Sequence, residues 1–304
     1  MSIYTNKALA GLKASLAADS LSLGPHWIYD TALIEQRFGR IESLSAPGPD
    51  SYHKNRTAGD FTHYGDQTFA LLKAVSESRG FTVEAWFGTW KRLMSGYDGY
   101  VDGATRNTLS RIDYGDGPDG CGSNSSDLAG ASRIAPVILA HHDDLEALVD
   151  AARLQTRLTH NNILVLESAE FFARTAHGVI HGASPIEAMQ QATKANYVSA
   201  PVTDWLEKGL ALKETDSVAA IAQFGQSCNV NGAFPGVVQI IARHEDNLAE
   251  ALTVNAMAGG DSAARGLLIG LILGAALDQE ALPAQWFNGL NKAADIERLA
   301  GALL

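Results

Sequence analysis

The chain has 304 residues, 46% of them hydrophobic and 19% charged, which supplies a sizeable core and excludes wholesale disorder. Lys and Arg number 23 against 34 Asp and Glu, a formal net charge of −11. That balance argues against nucleic acid or an anionic membrane as main partner, since both carry the same sign, and leaves room for a small phosphorylated ligand in a local pocket. The two cysteines, Cys121 and Cys228, form no CxxC and cannot make a disulfide framework, which fits a reducing cytoplasm. The N-terminus lacks the basic-then-apolar pattern of a secretory signal. The longest apolar run, Leu267 to Leu277, falls short of the roughly 20 residues that cross a bilayer. A cytoplasmic protein with no membrane partner is expected.

The hydrophobic period is helical throughout. From Lys7 to Gly24, Leu9, Leu12, Leu16, Asp19 and Leu23 fall on one face. Helical patterns follow at Gln67–Ser78, Thr82–Met94, Asp143–Leu158 and Asn162–Ile180. Ser184-Pro185-Ile186-Glu187 combines a capping box with a proline at the first helical position. Further helices are expected at Val202–Lys213, Ser217–Phe224, Pro235–Arg243, Asn247–Met257, Asp261–Leu277 and Pro283–Leu303. No alternating strand and no hairpin dipeptide stands out. The expected fold class is all-α, one multi-helix domain over 1–304. Gly96 to Asp127, dense in Gly, Asp, Ser and Asn, is expected to be a long irregular loop of functional rather than linker character.

Three acids stand out. Asp19 lies on the apolar stripe of the first helix, where a carboxylate is costly unless paired, hydrogen-bonded or metal-bound. Asp66 and Asp261 each precede an apolar helix, and N-capping would explain either alone. It does not explain Gly259-Gly260 before Asp261, which lets backbone or ligand come close. Gly266, Gly270 and Gly274 give that last helix a smooth face for tight packing. His177 and His181 have helical metal-ligand spacing without an HExxH, and read as a surface or interface pair. Neither cysteine has a neighbouring histidine in sequence, and no Walker or EF-hand loop occurs.

Several segments together carry a resemblance: AGLKASLAADSLSLGPHWIYD, HYGDQTFALLKAV, SSDLAGASRIAPVILA, the stretch from Cys228 through Gly259-Gly260-Asp261 to Leu277, and the closing QWFNGLNKAADIERLAGAL. The chain resembles the ADP-ribosylglycohydrolase family, and within it the branch that includes the J1 crystallins. The resemblance implies a compact all-α domain with a cleft at helix ends that, in active members, binds ADP-ribose and two Mg²⁺ ions. It implies Asp19, Asp66, Asp261 and, at the rim, His26 as catalytic residues. It implies Asp66, Gln67, Thr68, Asp261 and Ser262 as metal-site residues, and Asn124, Ser125, Ser126 and Arg133 as contacts to an ADP-ribose-like small molecule. The departures are specific. Gly65-Asp66-Gln67-Thr68 stands for Thr-Asp-Asp-Thr, and Gly259-Gly260-Asp261-Ser262-Ala263-Ala264 for Gly-Gly-Asp-x-Asp-Thr. Carboxylates are therefore missing at Gln67 and Ala263, hydroxyls at Gly65 and Ala264, and an acidic residue is replaced by His26. Two carboxylates do not balance two Mg²⁺ ions. One weakly held Mg²⁺ or none is expected, with Arg265 either bringing positive charge toward the vacated position or pairing elsewhere. The activity expected is hydrolysis of an ADP-ribosyl or related N- or O-glycosyl bond. The alternative is a catalytically silent relative that binds a nucleotide sugar or acts structurally.

Overall fold

In the computed structural model, which describes residues 2–304, the chain opens with α1 (Ile3–Ser22) and α2 (Thr31–Phe38). α3 (His63–Ser78), α4 (Val83–Met94) and α5 (Gly103–Asp113) follow. Next come two short helices, α6 (Ala129–Ser132) and α7 (Ala135–His141), then α8 (Leu145–Arg157), α9 (Ile163–Ile180) and α10 (Pro185–Ala192). α11 (Val202–Ala211), α12 (Ser217–Phe224), α13 (Val230–Arg243) and α14 (Leu248–Met257) lead to α15 (Ser262–Leu277). α16 (Ala284–Asn288) and α17 (Ala293–Gly301) close the chain. Among the described residues no strand forms. The only β pairing is two isolated bridges, Ser123 with His160 and Asp127 with Asn229.

α1 and α15 lie against each other at the centre, and the glycine steps explain how closely. A Cβ on Gly270 would sit 2.5 Å from the Ala14 carbonyl oxygen, and one on Gly274 2.6 Å from the Ala14 Cβ. Gly11 answers from the other side, where a Cβ would lie 2.7 Å from the Leu271 carbonyl oxygen. The obstacle at Gly270 is backbone, which cannot rotate aside. Gly270→Ala is therefore expected to lower stability by about 2–3 kcal/mol, roughly 4–10 °C in the melting midpoint. An unchanged calorimetric melt would mean the two backbones are not in contact.

Where helix and expectation differ, the cause is local. The region read as a loop, 96–127, contains α5. Its buried face is Ala104, Thr105 and Thr108, with Leu109 and Ile112 packed part-buried beside them, a short stripe set among loop-forming residues. Asp102 caps it, accepting from the Thr105 N–H. α2 was not expected either; it is short and buries only Ile34. α13 starts at Val230, before Pro235, because Asn229 caps it from the Asn231 N–H. The expected helix Pro283–Leu303 is broken between α16 and α17, where the Asn291 N–H leaves the helix path to bond the Gly59 carbonyl at 3.0 Å. The Ser184 capping box forms with both of its hydrogen bonds.

No helix among the described residues is long and apolar enough to cross a membrane.

Candidate functional site

Three connecting segments are stitched together by backbone hydrogen bonds at the N-terminal end of α15. Trp27 N–H donates to the Gly260 carbonyl at 2.9 Å, Gly260 N–H to Ile28 at 2.8 Å and Asp261 N–H to Gln226 at 2.8 Å. Gly259 and Gly260 turn with φ of 67° and 60°. A Cβ on Gly260 would lie 2.1 Å from the Gln226 carbonyl oxygen, so both dihedral and space demand glycine there. A fourth segment joins through Leu128 N–H to the Cys228 carbonyl and Val230 N–H to the Ser126 carbonyl, each at 2.9 Å.

This stitching brings Asp127, Cys228 and Asp261 together, with one ligand-type atom of each within 4.8 Å of the others. The Tyr64 hydroxyl lies 3.4 Å from Asp127 Oδ2 and 3.5 Å from Asp261 Oδ2. Asp261 occupies the N-cap position of α15, yet its side chain makes no capping hydrogen bond. Its Oδ1 has no hydrogen-bond partner and faces His26 Nε2 at 3.7 Å. Burial raises the pKa of both carboxyls; the charge of Asp127 raises Asp261 further, and that of Asp102 raises Asp127. Arg265 partly opposes this at Asp261. The Cys228 thiol is pushed up by burial and then by the two carboxylates, so it stays protonated and is a poor nucleophile.

The residues expected from sequence divide sharply. Asp19 is fully buried and accepts hydrogen bonds from the Thr62 N–H at 2.8 Å, the Thr62 hydroxyl at 2.6 Å and the Gly65 N–H at 3.1 Å. It ties α1 to the start of α3. Asp66 is not the α3 cap, which is Thr62. Its Oδ2 is held by Arg56 at 2.9 Å and the Tyr97 hydroxyl at 2.7 Å. Gln67 points into the core, its Oε1 accepting from Trp90 Nε1 at 2.9 Å and from Arg133 at 2.5 Å. The Thr68 hydroxyl bonds back to the Tyr64 carbonyl. Ser262 is buried with an unpartnered hydroxyl. His26 is not at a rim: it is 3% exposed. Arg133 is 1% exposed and donates to Gln67 and the Thr159 hydroxyl. Ser125 Oγ accepts the Asp127 N–H and Ser126 Oγ the Asn229 amide, while Asn124 is exposed beside Asn162. Arg265 makes no ion pair among the described residues. Its Nε donates to the Asn255 side chain and its Nη2 to the Gly259 carbonyl, stapling the glycine turn from beneath.

These placements test the Mg²⁺ centre that the family suggests. Mg²⁺ requires near-octahedral oxygen coordination. Asp66 Oδ2 is held by Arg56 and Tyr97, Gln67 by Trp90 and Arg133, and Thr68 by its own helix. Of the five expected metal-site residues, Asp66 keeps only its Oδ1 and Asp261 its Oδ1 as carboxylate oxygens outside hydrogen bonds. The residues do not fit a dinuclear Mg²⁺ centre.

Sequence reasoning missed Asp127, Tyr64 and the histidines His53 and His63. Asp127 Oδ1 accepts the Ala129 N–H, so in sequence it is indistinguishable from an ordinary cap.

Fold and site together define a helical protein with an acidic pair at the N-terminal end of its central helix. The ADP-ribosylglycohydrolase family model matches residues 1–304, and the chain belongs to that family. Crystallin J1A of Tripedalia cystophora is 24% identical over 318 positions, covering 98% of this chain and 96% of that protein. Crystallin J1B of the same animal is 24% identical over 321 positions. An uncharacterized protein of Archaeoglobus fulgidus is 22% identical over 272 positions, 89% of this chain and 87% of its own. A solved structure described as an ADP-ribosylglycohydrolase-related protein complex shares the fold, with a TM-score of 0.75 and 21% identity over 100% of this chain and 98% of its own.

Proposed function

We propose that this protein hydrolyses the N- or O-glycosidic bond of an ADP-ribosyl or related ribosyl adduct, with the Asp127–Asp261 pair carrying the proton transfers. The observation behind this is the pair itself: two close carboxyls, one of them an N-cap that does not cap. Keeping like charges together in a water-poor place lowers stability, and chains retain such arrangements chiefly where chemistry needs them. The pair holds one proton more readily than none. The ionised arm takes a proton from water as the water oxygen bonds to the anomeric carbon. The protonated arm gives its proton to the departing nitrogen or oxygen as that bond breaks. Tyr64 reaches both carboxyls with one hydroxyl, and burial keeps its phenol protonated. Membership of the ADP-ribosylglycohydrolase family supports the substrate class. No step is routed through Mg²⁺, because Gln67 and Thr68 are held by internal partners and two carboxylate oxygens do not make a dinuclear set.

A second reading has an observation of its own. Asp66 and Gln67 are occupied by internal partners, as in a relative that has kept the fold and given up turnover, and two relatives are named crystallins. Incubation with ADP-ribosyl-arginine and with an ADP-ribosyl-serine peptide, followed by chromatography of free ADP-ribose, separates the two. Release that added Mg²⁺ leaves unchanged is expected. No release from either substrate, with ADP-ribose still bound by calorimetry, would establish the silent relative.

A further inference from the structure

Three histidines far apart in the chain meet under one aromatic cover. His26 lies in the turn after α1, His53 in the segment before α3, and His63 is the first residue of α3. They are 3%, 2% and 0% exposed. One nitrogen of each lies within 4.8 Å of the other two. His53 Nε2 and His63 Nδ1 are 3.1 Å apart.

A neutral imidazole has one donor and one acceptor, and buried ones ordinarily satisfy both. Here both nitrogens of His26 and the Nδ1 of His53 have no hydrogen-bond partner. Trp27 holds His26 in place, with ring centroids 4.4 Å apart and planes 28° from parallel. Trp27 does so at φ 63°, a left-handed conformation that is costly for a bulky residue and persists only where its surroundings enforce it. The far nitrogen of His63, Nε2, lies 3.3 Å from Asp102 Oδ2 without forming a hydrogen bond. A carboxylate at that position is where metal-binding histidines usually find the partner that orients them. The unpartnered Oδ1 of Asp261 stands 3.7 Å from His26 Nε2.

We propose that His26, His53 and His63 form a nitrogen-donor site for a transition-metal dication of the Zn²⁺ class, with a fourth position open toward Asp261. Tetrahedral Zn²⁺ with bonds of about 2.0–2.1 Å places its ligand nitrogens about 3.4 Å apart. The His53 and His63 nitrogens, 3.1 Å apart, are close to that spacing, and His26 offers a nitrogen within 4.8 Å of both. Three imidazoles select Zn²⁺, Co²⁺, Ni²⁺ or Cu²⁺ over Mg²⁺, which takes oxygen. Burial and mutual repulsion hold His26 and His53 below the usual imidazole range, His53 down to about 3, so both rings are in the neutral state that ligation requires. The site does not depend on the hydrolase reading, since its occupancy is measured without turnover.

The test uses full-length protein without a polyhistidine tag, stripped with chelator and titrated with Co²⁺ and Zn²⁺. One equivalent of Co²⁺ is expected, with the intense visible bands of a tetrahedral centre and no sulfur-to-cobalt charge-transfer band. Zn²⁺ should displace it and raise the melting midpoint, and Mg²⁺ at the same concentration should do neither. Asp102→Asn, which keeps an α5 cap, should weaken Co²⁺ binding by about 10–100-fold. His53→Gln should remove the visible bands, and Cys228→Ser should leave them unchanged. A folded wild-type protein that binds neither ion would overturn the proposal. So would a charge-transfer band abolished by Cys228→Ser, which would put the ion at Asp127, Cys228 and Asp261.

Discussion

Asp261→Asn is expected to lower ADP-ribosyl hydrolysis by about 10²–10⁴-fold, the range over which a positioned proton-transfer group contributes, while making the protein more stable at alkaline pH. The two effects have one origin. In the folded protein Asp127 and Asp261 keep their protons to higher pH than the ordinary carboxyl value of 3.8, mainly through burial and next through neighbouring carboxylates, Asp127 at Asp261 and Asp102 at Asp127. The folded chain thus binds more protons than the unfolded chain above that value, and stability falls as pH rises through the interval. The amide removes one of the two charges and with it this penalty. At pH 8 the melting midpoint should rise by at least about 2 °C, the response of a domain this size to ~1 kcal/mol. At pH 4 the difference should largely vanish. Asp127→Asn should behave alike in both respects, and the double variant should lose little more activity than either single one, because the pair acts as a unit. Calorimetric melts at the two pH values and chromatographic assay of ADP-ribose are the measurements. A single variant that retains full turnover would remove the carboxylate pair from the mechanism. A variant less stable at pH 8 would mean that Asp261 is held by interactions worth more than its burial costs.

The architecture was readable because most of its helices are long and bury large side chains on one face, as α9 buries Phe171 and Phe172. α5 escaped because its fully buried residues are Ala and Thr, its two large apolar residues, Leu109 and Ile112, are only part-buried, and its flanks are rich in the residues that build loops. The site was legible only in part, for reasons of distance along the chain. Asp261 announced itself through two adjacent glycines, which a cap does not need. Asp127 did not, since it caps α6 with one oxygen and turns the other toward Tyr64. His26, His53 and His63 sit on segments without periodicity, and nothing in their spacing says that the turn after α1 folds against the start of α3. Asp66 differs again: the resemblance implies it as a metal-site residue, and the structure adds a counter-charge on its Oδ2 from Arg56, ten residues earlier on a segment with no helical pattern.

Asp19 was picked out for lying where a carboxylate should not, and the structure gives it a structural role with a large expected effect. Its two oxygens satisfy two backbone N–H groups and one hydroxyl at the start of α3, all inside a region closed to water. Gly65 is glycine for the same reason, since a Cβ there would lie 2.2 Å from Asp19 Oδ2. Asp19→Ala strands three buried polar groups at once. At about 1–3 kcal/mol for each buried unsatisfied group, the summed loss of at least about 3 kcal/mol is a large share of a domain's total stability. Asp19→Asn keeps the shape and one accepting oxygen, and turns an amide N–H toward the Thr62 N–H. Its cost should be about 1–2 kcal/mol. The two variants should also differ from the parent in pH response. Burial pushes the Asp19 carboxyl up to about 7, so its contribution to stability falls as pH rises from about 4 to about 7. Neither replacement titrates, and both should show a flatter stability profile across that window. Urea titrations at pH 4.5 and 7.5 measure the loss and the slope together. If Asp19→Ala unfolded at the parent's midpoint at both pH values, the hydrogen bonds from Thr62 and Gly65 would not be what anchors α3 to α1.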